Sequence, residues 1–142
     1  MAFTLAGWSV SEPINGVRHF SAKLTAVNFN AAIVYDNAVT TKASPLLEVL
    51  REHGTNLIIR HLSVQIIGSA SGVTIKPTVY TSDDGLAFLE THMTAYATDK
   101  CAWPGLHIPV RFAETYHYLL RMTLAGYAAT DDMTVTIHGE VF

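Results

Sequence analysis

The sequence predicts an all-β fold, an antiparallel β-sandwich or jelly roll of roughly eight strands with one short helix near residues 45–53. Three observations carry this. In residues 73–81, Val73, Ile75, Pro77 and Val79 alternate with Thr74, Lys76, Thr78 and Tyr80. Strict period two over that length marks a half-buried strand. The alternation recurs in residues 17–27, 106–112, 117–126 and 133–141. Turn-forming clusters separate the runs: Asn15-Gly16, Ser82-Asp-Asp-Gly85 and Thr130-Asp-Asp132. Short strands punctuated this way indicate a sandwich or jelly roll.

Residues 3–10 read as a short strand or as an extended arm, with Gly7 breaking the pattern. In residues 17–27, Phe20, Ala22, Leu24 and Ala26 share a face. Residues 31–35 are a small apolar run, Asp36-Asn37 reads as a turn, and residues 38–42 are ambiguous. Ser44-Pro-Leu-Leu-Glu-Val-Leu-Arg-Glu-His-Gly54 is the one helix: Ser44 suits the N-cap, Pro45 the first turn and Gly54 the position after the last turn. Such a helix suits the end of a sandwich and is too short to be stable alone.

Residues 56–67 and 73–81 read as two strands joined by a turn, a hairpin. At the start of the first, Leu57 and Ile59 lie opposite Ile58, Leu62, Val64 and Ile66, with Arg60 interrupting. Both faces are therefore apolar there, which calls for cover from the helix or a neighbouring subunit. Residues 89–96 are the next strand, and 97–105 a loop in which Trp103, beside Pro104, is expected to be partly exposed. Pro77 and Pro109 point to edge strands or bulges, because proline cannot donate to a ladder. The last two strands turn Tyr118, Leu120, Met122 and Leu124, then Met133, Val135, Ile137 and Val141, inward.

A chain of 142 residues reads as a single domain spanning residues 1–142, with residues 1–12 either an arm or the first strand. A chain this long buries enough surface to fold without disulfide or metal. Hydrophobic residues make up 49% and charged residues 15%. So little charge on a small chain suggests that part of its apolar surface is covered by a partner. A net charge of −3 offers no footprint for nucleic acid. No run approaches a membrane span, and the first ten residues lack a charged and apolar leader, so the expected setting is cytoplasmic synthesis.

Candidate chemistry is sparse. None of the seven histidines forms an H-x-H or H-x-x-x-H pair, so no metal site is expected. Pro104-Gly-Leu-His107 matches only half of the pattern of a cupin-type metalloenzyme. Asp83-Asp84 and Asp131-Asp132 sit in turns, where aspartate bonds local backbone. Glu90, Glu114 and Glu140 could serve a glycosidase only if paired across a cleft. No nucleophile elbow, phosphate loop or dinucleotide fingerprint occurs. The lone Cys101 reads as a packing residue. Hence no catalytic residues and no cofactor are expected. Trp8, Trp103, Tyr80, Tyr96 and Tyr127 could line a sugar-binding face.

Leu57-Ile-Ile-Arg-His-Leu-Ser-Val64, Tyr116-His-Tyr-Leu-Leu-Arg-Met-Thr-Leu-Ala-Gly126 and Met133-Thr-Val-Thr-Ile-His-Gly139 resemble small β-sandwich virion proteins of tailed bacteriophages, the head decoration or cement class. The resemblance covers the C-terminal two thirds and lies in texture rather than in one motif. It implies a non-enzymatic homo-oligomer, a trimer by preference, bound to the major capsid protein or another virion protein in a particle assembled in the host cytoplasm. Phe3, Leu5, Trp8 and Trp103 are the candidate interaction surface, since exposed apolar patches mark such sites. Tyr80-Thr-Ser-Asp-Asp-Gly85 also resembles a turn of discoidin-like carbohydrate modules, without their flanking aromatics. The alternatives to assembly are a carbohydrate-binding or adhesion module and a metal-dependent jelly-roll enzyme.

Overall fold

A computed structural model describes residues 1–36, 44–68 and 72–142. The described residues form two antiparallel sheets enclosing one apolar core. The strands are β1 Thr4–Val10, β2 Arg18–Ala26, β3 Ile33–Asp36, β4 Asn56–Ile67, β5 Thr74–Ser82, β6 Leu89–His92, β7 Lys100–Trp103, β8 Ile108–Arg111, β9 His117–Ala125 and β10 Asp132–Val141. The larger sheet runs β1-β2-β10-β4, and β7 and β8 share the far edge of β4. The smaller runs β3-β9-β5-β6. The expected β-sandwich is thus present, with ten strands rather than eight. The two additions, β3 and β7, are four residues each, too short for alternation to declare itself.

Alternation in sequence becomes burial in space. Phe20, Ala22, Leu24 and Ala26 of β2, Tyr118, Leu120, Met122 and Leu124 of β9, and Val135 and Ile137 of β10 are all buried in the one core. Asn15 and Gly16 adopt positive φ and turn the chain between Ile14 and Val17. The helix α1, Pro45–Leu50, buries Leu46, Leu47 and Leu50. Ser44 caps it, accepting from the Leu47 N–H at 3.3 Å. It is shorter than expected, because Arg51–His53 tighten into a 3-10 turn. Gly54 is extended rather than left-handed. It is glycine because the backbone of Phe142 passes where a side chain would sit.

Two expectations about residues 56–81 are corrected. β4 and β5 lie in different sheets, so they form a crossover between layers and no hairpin. The doubly apolar start of β4 is a β-bulge: His61 pairs with His138 and Ile59 with Gly139, leaving Arg60 as the extra residue. The bulge resets the alternation, so Leu57 and Ile59 face the same core as Leu62, Val64 and Ile66. No neighbouring subunit is needed to cover them. Gly139 opposite the bulge has the Ile58 carbonyl and the Phe20 ring where a Cβ would lie.

Pro109 falls on an edge as expected, whereas the strand of Pro77 is interior and not the expected edge. Pro109 is on β8, which pairs only with β4 among the described strands. Pro77 is on β5, an interior strand, but its carbonyl accepts from Met93 on the side where β6 has already ended. Its missing N–H faces that same side, so no ladder bond is lost.

The N-terminal segment laces the two layers. Phe3 N–H donates to the Tyr35 carbonyl and Tyr35 N–H to the Met1 carbonyl, before β1 pairs along β2. At the opposite side, the Tyr116 hydroxyl donates to the Pro109 carbonyl and Arg111 pairs with Asp83. A third tie holds the helix to β3 and β9: Ser44 and Tyr118 hydroxyls both donate to Asp36 Oδ2, at 2.8 and 3.3 Å. Asp36, expected in a turn with Asn37, is instead the last residue of β3; Asn37 and the ambiguous residues 38–42 lie outside the described residues.

Two outcomes follow for stability. Gly139→Ala should lower the unfolding free energy by about 1–3 kcal/mol, read from urea melts, since backbone and a core ring must both shift. Burial pushes the Asp36 carboxyl up from 3.8 to about 6, against the lowering effect of its two hydroxyl donors. The folded chain therefore holds this proton more tightly than the unfolded one. That contribution is fully present below pH 3.8 and is lost as pH rises through about 6. Asp36→Asn, which never ionises, should gain on the wild type by on the order of 2–3 kcal/mol between pH 4 and 7 in parallel melts. Parallel pH profiles would rule out this assignment.

Candidate functional site

The residues expected to make one interaction surface are dispersed. Phe3 is buried, its ring part of the core. Leu5 is half-buried and packs against that core. Trp8 is 45% exposed, but it pairs with Ala22 on the core-facing side of the edge strand, its ring centroid 5.7 Å from that of His53. Trp103, expected in a loop, closes β7 and is only 5% exposed. Its indole N–H donates to the Thr94 carbonyl at 2.8 Å, and Tyr96 lies against its ring at 5.6 Å. Burial with a satisfied N–H makes Trp103 a fastener between β7 and residues 94–96, not a docking side chain. The five aromatics considered for sugar binding do not share a face either: Tyr127 packs on Phe29 in another part of the fold.

The titratable residues mostly have structural tasks. Asp84 Oδ1 accepts from the Leu86 and Ala87 N–H groups, which with the Ser82 hydroxyl hold its carboxyl below the usual range. Asp131 Oδ2 accepts from Ala128 N–H, and Asp132 Oδ1 from Asn28 N–H. In each acidic pair one aspartate, Asp84 or Asp131, bonds its own turn, while Asp83 pairs with Arg111 and Asp132 ties in Asn28. Glu140 meets the bulged Arg60 at 3.2 Å, and Arg60 also reaches His107 at 2.9 Å. Glu90 lies 3.5 Å from His92. His61 and His138 form an edge-on ring pair at 5.5 Å. Among the described residues, no three His, Cys, Asp or Glu converge as a metal site. Burial pushes the Cys101 thiol up, away from the thiolate that reactive cysteines need.

A different feature stands out on the outer face of the smaller sheet. The odd-numbered residues of β9 and the even-numbered residues of β5 point outward there. Register places Leu119 beside Tyr80, and Arg121 between Tyr35 and Thr78. The segment after β5 folds back over this face. Its Phe88 ring stands edge-on to His117 at 6.2 Å. Tyr80, Phe88, Leu119 and Arg121 line a pocket of about 190 Å³. Leu119 is buried although it points away from the core.

Arg121 is unusual among the cations of this face. Its guanidinium carbon sits 5.1 Å from the Tyr80 ring centroid. Its Nε is shut off from solvent and has no hydrogen-bond partner. The ion pairs among the described residues engage Arg60, His92 and Arg111 instead. Residues 37–43 and 69–71 contain no Asp or Glu. Thr78, the neighbour across the ladder, already shares its hydroxyl with His92 Nδ1 at 3.3 Å. The sequence placed Tyr80 on a polar strand face, but the meeting of Tyr80, Phe88 and Arg121 depends on the pairing of β5 with β9, which no local pattern encodes.

Beside the pocket is an apolar rim. Leu86 is 87% exposed, Leu89 65% and Phe88 39%. They flank β6, which pairs only with β5 among the described strands and leaves its other edge open.

No protein family matches the chain, and no curated protein does. Solved structures give only distant likenesses. A chain in the structure of infectious bursal disease virus Gx strain is 12% identical over 98% of this chain, with a TM-score of 0.41. The present chain spans about 31% of that viral chain. The CBM22-1 xylan-binding domain of Paenibacillus barcinonensis Xyn10C is 14% identical, covering 95% of this chain and 85% of its own, with a TM-score of 0.39. TmCBM61, solved with β-1,4-galactotriose, is 13% identical over 95% of this chain and 88% of its own, at 0.26. Viral and carbohydrate-binding β-structures are thus both among the neighbours, and at these scores neither carries an argument about function.

An unpartnered guanidinium N–H costs about 1–3 kcal/mol, offset by about 0.5–1 kcal/mol from the ring contact. Arg121→Met should therefore leave the urea midpoint unchanged or raise it. A clear fall would make Arg121 a structural residue.

Proposed function

We propose that this chain is a non-enzymatic assembly protein, a β-sandwich that self-associates and binds the lattice of a virion. The observation that supports this reading best is the rim around β6. Leu86 at 87% exposed and Leu89 at 65%, with a half-exposed Phe88 between them, lie at the start of a strand whose outer edge pairs with no other strand among the described residues. Exposed apolar patches mark contact sites, and an open edge pairs readily with another chain. The low charge of the chain fits the same account. The non-enzymatic part is supported by Asp36, Asp84, Asp131, Glu90 and Glu140, which are engaged in the helix tie, turns and ion pairs. The phage setting and the trimer rest on the resemblance in residues 57–64, 116–126 and 133–139.

Light scattering after size exclusion tests self-association. The expected mass is a multiple of 15.5 kDa. Leu86→Ser with Leu89→Ser should shift it toward the monomer without loss of fold, because both side chains are already in solvent. A strictly monomeric wild-type chain at high concentration would remove the pre-formed oligomer. Co-sedimentation with purified capsid shells then tests the lattice part separately.

One observation favours a second reading, carbohydrate binding. The Tyr80–Phe88 pocket combines flat aromatic surfaces with Arg121, and Glu90 and His92 stand beside it on β6. Sugar rings stack on such surfaces while hydroxyls bond the polar groups around them.

A further inference from the structure

We infer that the pocket of Tyr80, Phe88, Leu119 and Arg121 takes the carboxylate-bearing ring of an acidic sugar, a pyranose of the uronic or sialic type. The inference rests on the carbohydrate reading above and goes beyond it by fixing the charge of the ligand. It is independent of self-association.

The argument starts from the guanidinium. Arginine offers five N–H donors in a planar fork and stays charged at any ordinary pH. Among the described residues no carboxylate lies within ion-pair distance of Arg121, and residues 37–43 and 69–71 contain none. Its Nε is closed to solvent, and so to any ligand, while the side chain lines the cavity, held by the Tyr80 ring on a sheet whose backbone is paired on both sides.

The ligand that completes such a site is a planar anion. A carboxylate accepts two parallel N–H bonds from one guanidinium. Lys76, one ladder step along the same outer face, adds positive potential without entering the pocket. A phosphate is a poorer match, because Arg121 is the single cation among the described residues that line the pocket. The walls select what carries the carboxylate. Tyr80 and Phe88 supply two aromatic surfaces, and the cavity of about 190 Å³ is small and open to solvent. A six-membered ring with one apolar C–H face and one carboxylate meets both walls and cation. Glu90, the ladder partner of Tyr80, stands on the far side of that ring from Arg121 and lies 3.5 Å from His92.

The test is an amide-and-side-chain NMR titration of the full chain with glucuronic acid, N-acetylneuraminic acid, glucose and acetate. At least one of the acidic sugars should give saturable shifts at Tyr80, Phe88, Leu119 and Arg121, with a Kd on the order of 1 mM or weaker for a single ring. Glucose and acetate should each bind at least about tenfold more weakly, the loss of one charge-assisted pair or of the stacked ring. Arg121→Met should abolish the preference for acidic over neutral sugar. Arg121→Lys keeps the charge but not the fork and should weaken binding while leaving the spectrum folded. Tyr80→Ala should weaken every sugar. Acetate binding as well as the acidic sugars would overturn the inference in favour of a bare carboxylate site. Glucose binding equally well would overturn the acidic assignment and leave the carbohydrate reading standing. Absence of saturable shifts for every sugar, or shifts clustered elsewhere, would sink both.

Discussion

The larger sheet depends on β10, the last strand of the chain. It lies between β2 and β4 and pairs with nine residues on one side and ten on the other. Its inward residues Met133, Val135, Ile137 and Val141 are fully covered. Without β10, β2 and β4 have no partner between them, and the sheet divides. Because β2 begins more than a hundred residues earlier, the pairing is strongly non-local, and topologies of this kind fold slowly relative to helical ones. Gly139 is the narrow point of the arrangement, where the β4 bulge brings the Ile58 carbonyl against β10.

Around that sheet, polar groups are used as fasteners at its margins. The N-terminal residues bond β3 before entering the larger sheet, so one open side is stitched by backbone. Trp103, Tyr116 and Arg111 close the other. Asp36 ties helix, β3 and β9 through two hydroxyls at the cost of a carboxyl held in a buried place. Asp84 and Asp131 bond their own loops, and Asp132 reaches across to Asn28. Arg121 is used differently: it enters no ion pair among the described residues and lies on the Tyr80 ring beside a pocket.

The outer face of the smaller sheet carries two neighbouring features of different character. The pocket is concave, aromatic and charged, whereas the rim at Leu86 and Leu89 is convex and apolar beside an open strand edge. Phe88 belongs to both. An oligomer built through the rim would bring pockets of different subunits near each other, which is how weak single-ring affinities become useful avidity.

The sequence by itself determined the class of fold and most of the core. Period-two alternation names inward residues directly, as with Phe20 to Ala26 and Tyr118 to Leu124, because each side of a pleated strand either meets the core or meets water. Turn residues likewise declare themselves, since Asn15, Gly16, Asp84 and Asp131 act through local backbone. The tertiary structure alone decided what long-range register controls. It placed β4 and β5 in different sheets, inserted the bulge that puts Leu57 and Leu62 on one side, drew Trp103 into a short strand and buried it, and set Tyr80 against Arg121. These depend on which strands pair and in what phase, and the energies that choose the pairing are spread over the whole core rather than written in any one segment.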